Sequence, residues 1–155
     1  MKNSSILPNE RLQAGDAAVK GLFNGFIAGI GMAIMLVAAG LAAGVPPGNT
    51  LERFTPVSGS GSLAGILAHL AVSGIYGMVF GLLWSSVLRW LRPDSGGWQA
   101  ILAGGAYGVL LWLGAQYILL PTTGATLGSI PVSQFLIAHL AYGLILGWLF
   151  GRGRS

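Results

Sequence analysis

Between its charged residues this chain leaves three long stretches that carry no charge: Gly21 to Leu51, Phe54 to Leu88, and Ser95 to Gly151. A helix needs about 20 apolar residues to cross the hydrocarbon of a bilayer, so the first two stretches hold one span each, with turn residues to spare. The third is too long for one crossing and must double back, and Pro121, Gly124, Gly128 and Pro131 are the breakers that would turn it. Helices are expected over residues 18–44, 62–89, 97–120 and 131–150. Composition agrees, since 54% of the residues are hydrophobic and 8% are charged, where soluble domains carry roughly 25% charge. The expected fold class is all-α, a bundle of four transmembrane helices.

The sequence pI of about 10.0 invites a nucleic-acid reading, but the charges are placed for another purpose. Lys2, Arg11 and Lys20 precede the first helix, Arg89 and Arg92 lie between the second and third, and Arg152 and Arg154 follow the fourth. Only Arg53 falls at the other end of the bundle. The positive-inside rule then predicts both termini and the Arg92 loop in the cytoplasm, with Trp84, Trp90, Trp98 and Trp148 as interfacial anchors at that boundary. Orientation accounts for the basic character, and no nucleic-acid partner is implied. With no cysteine in the chain, disulfides and thiolate chemistry are excluded. Residues 1–16 read as a flexible polar cytoplasmic tail, with Asp16 as a helix cap, and residues 17–155 as a single membrane domain. The first span is too long and its leading segment too mixed in charge for a cleaved signal peptide.

Within this frame a pattern occurs twice. His69 is followed at every fourth residue by Ser73, Gly77 and Gly81, and His139 by Gly143, Gly147 and Gly151; both copies begin Ala-His-Leu-Ala. Every fourth residue traces one ridge of a helix, and ridges of small side chains are where membrane helices approach closely. The first and third helices carry matching ridges, with Gly25 and Gly29 in one and Gly104 and Gly108 in the other. The chain therefore reads as a duplicated helix hairpin, with halves over about 18–90 and 97–151. A unit of two spans returns to its starting side, so the copies are parallel, related by a pseudo-twofold along the membrane normal.

The two imidazoles head equivalent ridges. Counted from the helix starts at 1.5 Å per residue, both lie about 11 Å below the outer ends. Trp112 comes to nearly the same depth, Gln116, Tyr117 and Gln134 lie closer to the outer surface and Tyr142 slightly deeper; together they form the expected polar cluster, while Asn24 stands apart as a helix-to-helix hydrogen bond. Three uses of the histidines stay open. Each could donate to a carbonyl or a glutamine of a neighbouring helix and fix the bundle's register. The pair could ligate haem b or a chlorophyll-type pigment, imidazole being a common axial ligand; close packing of the second helix against the fourth through their glycine ridges would oppose this. Several copies could also surround a small channel or carrier, although no carboxylate lies in the spans to couple ions. The 4 acidic residues, Glu10, Asp16, Glu52 and Asp94, lie outside the spans. No nucleophile triad, phosphate loop or zinc ligand set is present, so catalysis is not expected and no metal site is assigned.

At Ala138 to Gly143, Ala-His-Leu-Ala-Tyr-Gly, echoed from Ala68 with Val72-Ser73 in place of Tyr142-Gly143, the chain resembles small uncharacterised bacterial four-helix membrane proteins with repeated His-Leu and Tyr-Gly motifs. The resemblance implies a bacterial inner membrane and no assigned activity. The expectation is a non-catalytic integral membrane protein, an accessory or scaffold subunit. Its partners would be lipid and other membrane proteins or copies of itself, met through helix faces.

Overall fold

The computed structural model describes residues 14–55, 59–87, 97–123 and 130–152. No strand occurs among them. The helices are α1 (Ala14–Ala42), α2 (Pro47–Glu52), α3 (Gly61–Val87), α4 (Trp98–Gly114), a π turn (Ala115–Leu119), α5 (Leu120–Thr123) and α6 (Val132–Gly151). Four segments are long and apolar enough to cross a membrane: α1, α3, α4 with its π turn, and α6. The all-α bundle of four such helices is the expected one.

The ends of the helices depart from expectation for identifiable reasons. Asp16 lies inside the first turn of α1 rather than capping it; there its carboxylate faces the positive end of the helix dipole. At the other end of α1, Gly44 adopts φ +77°, Val45 N–H donates to Gly40 and Gly44 N–H to Leu41, the paired bonds of a Schellman stop. Pro121 does not end its helix. Having no N–H and crowding the carbonyl of Tyr117, it would break an α-helix; the wider π turn just before it absorbs the ring, and helix continues to Thr123. Gly124 and Gly128 lie outside the described residues, and Pro131 caps α6.

Helix α2 has no counterpart among the helices expected from the sequence. Pro46 precedes it and Pro47 stands in its first turn, where a missing N–H costs nothing. The helix seats on α3 at Gly65, where any side chain would strike the Leu51 carbonyl, and Glu52 Oε1 closes the loop by accepting from Gly59 N–H at 3.0 Å. This brings Phe54 against His69, ring centroids 4.6 Å apart.

Helices α1 and α3 form one tight hairpin, α4 and α6 another. In the first, Gly25 lies under the Ser73 carbonyl and Gly21 under that of Gly77, while Gly29 faces the Ser73 side chain and Gly81 the Ala17 carbonyl. In the second, Gly104 lies under the Gly143 carbonyl and Gly108 under that of His139; Gly147 meets Ala100 and Gly151 meets Gly97. The ridges of α3 and α6 are thus spent inside their own hairpins and do not meet each other. Close backbone approach of this kind holds helices in lipid by dispersion, because leaving the bilayer's hydrocarbon gains a leucine nothing.

Between hairpins the packing is uneven. A strict twofold would make the α1–α6 and α3–α4 contacts equivalent, yet the α1 backbone packs along α6 while the backbones of α3 and α4 stay apart, bridged by the Tyr107 side chain. Ala28, Ala138 and Leu146 are fully buried in the core. Towards the end of the bundle that bears Lys20 and Arg152, Phe80 meets Trp84, Tyr107 and Phe150 at centroid distances of 6.1, 5.2 and 5.3 Å. Trp84, expected at the interface, is instead part of this core at 4% exposure. Trp98 and Trp148 are exposed, and Trp90 lies outside the described residues.

Candidate functional site

The gap left where α3 and α4 diverge runs inward to both histidines. An outer chamber of about 130 Å³ is lined by Phe54, His69, Val72, Tyr76, Ala115, Leu119 and His139, among others. An inner one of about 60 Å³ shares His69, Val72, Tyr76 and His139 with it and adds Ser73, Leu111 and Tyr142. Met32 of α1 borders both. The two imidazoles therefore converge on one space between the hairpins.

Their hydrogen bonds differ although their ridge positions match. His69 Nε2–H donates across the hairpin to the Gly29 carbonyl at 2.9 Å, whereas His139 Nδ1–H donates within its own helix to Phe135 at 2.8 Å. Phe54 lies against the first ring and Phe135 against the second, the latter at 4.4 Å. Because a carbonyl only accepts, each bond fixes the tautomer of the neutral ring and leaves the other nitrogen as an acceptor. Neither Nδ1 of His69 nor Nε2 of His139 has a hydrogen-bond partner among the described residues.

Two tyrosines tie the hairpins together around this space. Tyr142 on α6 donates its hydroxyl to the Ser73 carbonyl at 2.6 Å, and Tyr107 on α4 donates to that of Tyr76 at 2.9 Å. Tyr142 is expected near the histidines from the sequence; Tyr107, Tyr76, Phe54 and Met32 are not. The signal was present for the tyrosines: Tyr76, Tyr107 and Tyr142 each precede a ridge glycine. A residue one step from a ridge turns about 100° away from the hairpin partner, here towards the other hairpin.

The rest of the expected polar cluster disperses. Tyr117 is 68% exposed and pairs in a T shape with Trp112, at 6.1 Å between centroids. Trp112 Nε1 is buried with no partner among the described residues, and neither Gln116 nor Gln134 lines the chambers. Asn24 Nδ2 is likewise buried without a partner among the described residues, so its N–H groups make no helix-to-helix bond there.

For a haem or chlorophyll-type pigment the donor chemistry is suitable, since a ligating histidine almost always donates its other N–H to a carboxylate, a backbone carbonyl or water. The space is not. Pockets for sizeable ligands run to about 300–1,000 Å³, so a macrocycle would require the hairpins to move apart. Among the described residues no three of His, Cys, Asp and Glu gather as a metal site.

No curated protein and no solved structure matches the chain. A family model does, over residues 15–155, covering all four candidate spans and both histidines. The chain belongs to the DUF6789 family, a family of unknown function.

Proposed function

We propose that this is a non-catalytic integral membrane protein of a bacterial inner membrane, with both termini cytoplasmic, acting as an accessory subunit that packs against other membrane proteins or copies of itself. The observation that carries the reading is a groove of about 480 Å³ on the outer face of the first hairpin, lined only by apolar residues, among them Ile30, Ile34, Val37, Leu41, Ile66 and Leu70. A flat helix pair would suit lipid alone; a groove of this depth also suits the side chains of another helix. Ala38 lies on its wall and is exposed. Chemical cross-linking in native membranes, followed by purification in mild detergent, tests the reading. The expected product is an assembly larger than one chain, dispersed by Ala38→Trp. A chain that stays monomeric in its own membrane overturns it.

A second reading is favoured by the convergence of His69 and His139 on one space: the subunit carries a ligand there. The two roles are compatible, because groove and chambers lie on different faces of the first hairpin.

A further inference from the structure

The space on which His69 and His139 converge has the polarity, size and access of a site for one class of ligand. Resting on the reading above that the subunit carries a ligand there, we propose that the gap between α3 and α4 admits, from the acyl-chain region, the hydroxyl-bearing head of a lipid-soluble ring compound, a quinol or a phenol. Nδ1 of His69 and Nε2 of His139 accept hydrogen bonds from its hydroxyl groups, which keep their protons.

Three observations support this assignment. The first is polarity. Both imidazole N–H groups are committed to backbone carbonyls, so the rings offer the chambers acceptors alone. An anion or a ketone finds no donor in either ring, whereas a hydroxyl does find its acceptor; only the Ser73 and Tyr76 hydroxyls can turn to either role. The second is size. An engineered apolar cavity of about 150 Å³ takes up benzene, and the outer chamber, about 130 Å³, is of that order, with Phe54 and Phe135 on its wall. The third is access. Val72, Tyr76 and Leu119 line the chamber and are also exposed on the apolar surface of the bundle, so a ligand tail can remain in lipid while its head enters. The wall on the α4 side is built from the π turn, through Ala115 and Leu119; such turns recur at functional sites because they re-aim a helix face.

The test is binding of decylplastoquinol against decylplastoquinone to the full chain in lipid nanodiscs under anoxic conditions. The two probes share a skeleton and differ in the hydroxyl protons. Quinol is expected to bind about tenfold more tightly than quinone, the value of one net hydrogen bond, and to shift the unprotonated imidazole ¹⁵N resonances of labelled His69 and His139 upfield. His139→Phe should remove most of that preference. Ala115→Leu, which fills the chamber and leaves both imidazole bonds in place, should abolish binding while the thermal melt is kept. Equal binding of both probes, blocked by Ala115→Leu, overturns the ligand class and leaves the site standing. A Soret band in the purified protein does the same. Absence of binding by either probe, with unchanged imidazole resonances, overturns the site itself.

Discussion

His69 and His139 occupy equivalent ridge positions but hold different parts of the molecule. The first bonds α3 to α1 through the Gly29 carbonyl; the second closes a bond along its own helix. Replacing each ring by phenylalanine keeps an aromatic of similar shape and removes the N–H. His69→Phe should therefore cost more, because a helix-to-helix bond worth on average about 0.6 kcal/mol in a membrane is lost, while His139→Phe should be close to neutral for stability. Reversible unfolding in bicelles measures the difference, and an equal loss in both variants contradicts the assignment. Tyr142→Phe, which removes the bond to Ser73 between hairpins, should cost between about 0.6 and 1.7 kcal/mol by the same assay. How far the site could be read from sequence follows from these bonds. The spacing of ridge residues put both imidazoles at one level, since helix periodicity is a local property. Which carbonyl each N–H would find depends on the residue opposite: Ser73 stands where Gly143 stands in the second copy, and Phe54 arrives from a short helix. Neither is a local property of the histidines.

At the level of the helices, the glycines divide into those that let backbones meet and those that do not. A Cβ on Gly77 would lie on the Gly21 carbonyl and 2.8 Å from the Gly25 nitrogen; one on Gly143 would collide with the Gly104 carbonyl. Backbone cannot rotate out of the way as a side chain can, so Gly77→Ala and Gly143→Ala should each push a hairpin apart at a cost of about 1–3 kcal/mol. Gly114 meets nothing within 4 Å, and Gly114→Ala should be neutral or should stabilise the helix by up to about 1 kcal/mol. Unfolding of the three variants side by side checks the contrast, which composition alone cannot produce. The same logic marks what was legible in these elements. Four helices followed from uncharged length, and the ridges followed from every-fourth-residue spacing. Helix α2 was hidden because six residues beginning Pro-Gly have no periodicity to show and are held by Gly65 from outside. The π turn was hidden because Pro121 reads as a stop unless the preceding turn can widen.

The whole molecule is two like hairpins joined unequally. Their internal contacts match ridge for ridge, yet α1 closes on α6 while α4 stands off from α3, and both imidazoles border the gap that results. That asymmetry gives the bundle a lateral opening, and its place along the membrane normal depends on which way the chain is inserted. Lys20 and Arg152 mark one end of the bundle, where Lys20 Nζ lies 5.4 Å from the Phe150 ring centre and the Arg152 guanidinium 4.2 Å from that of Trp148. These side chains can lay their stems along apolar rings and keep their charges at the boundary. Helix α2, which ends at Glu52 and is capped by Arg53, marks the opposite end, and the chambers lie towards it. If the basic end is cytoplasmic, as the positive-inside rule requires, the site lies in the outer half of the bilayer. The cysteine-free chain makes this directly measurable with single exposed cysteines at Gly15→Cys in the first turn of α1 and Asn49→Cys on α2. A membrane-impermeant maleimide should label Asn49→Cys in intact cells and Gly15→Cys only after permeabilisation. The reverse pattern would turn the molecule over and place the opening to His69 and His139 in the cytoplasmic leaflet.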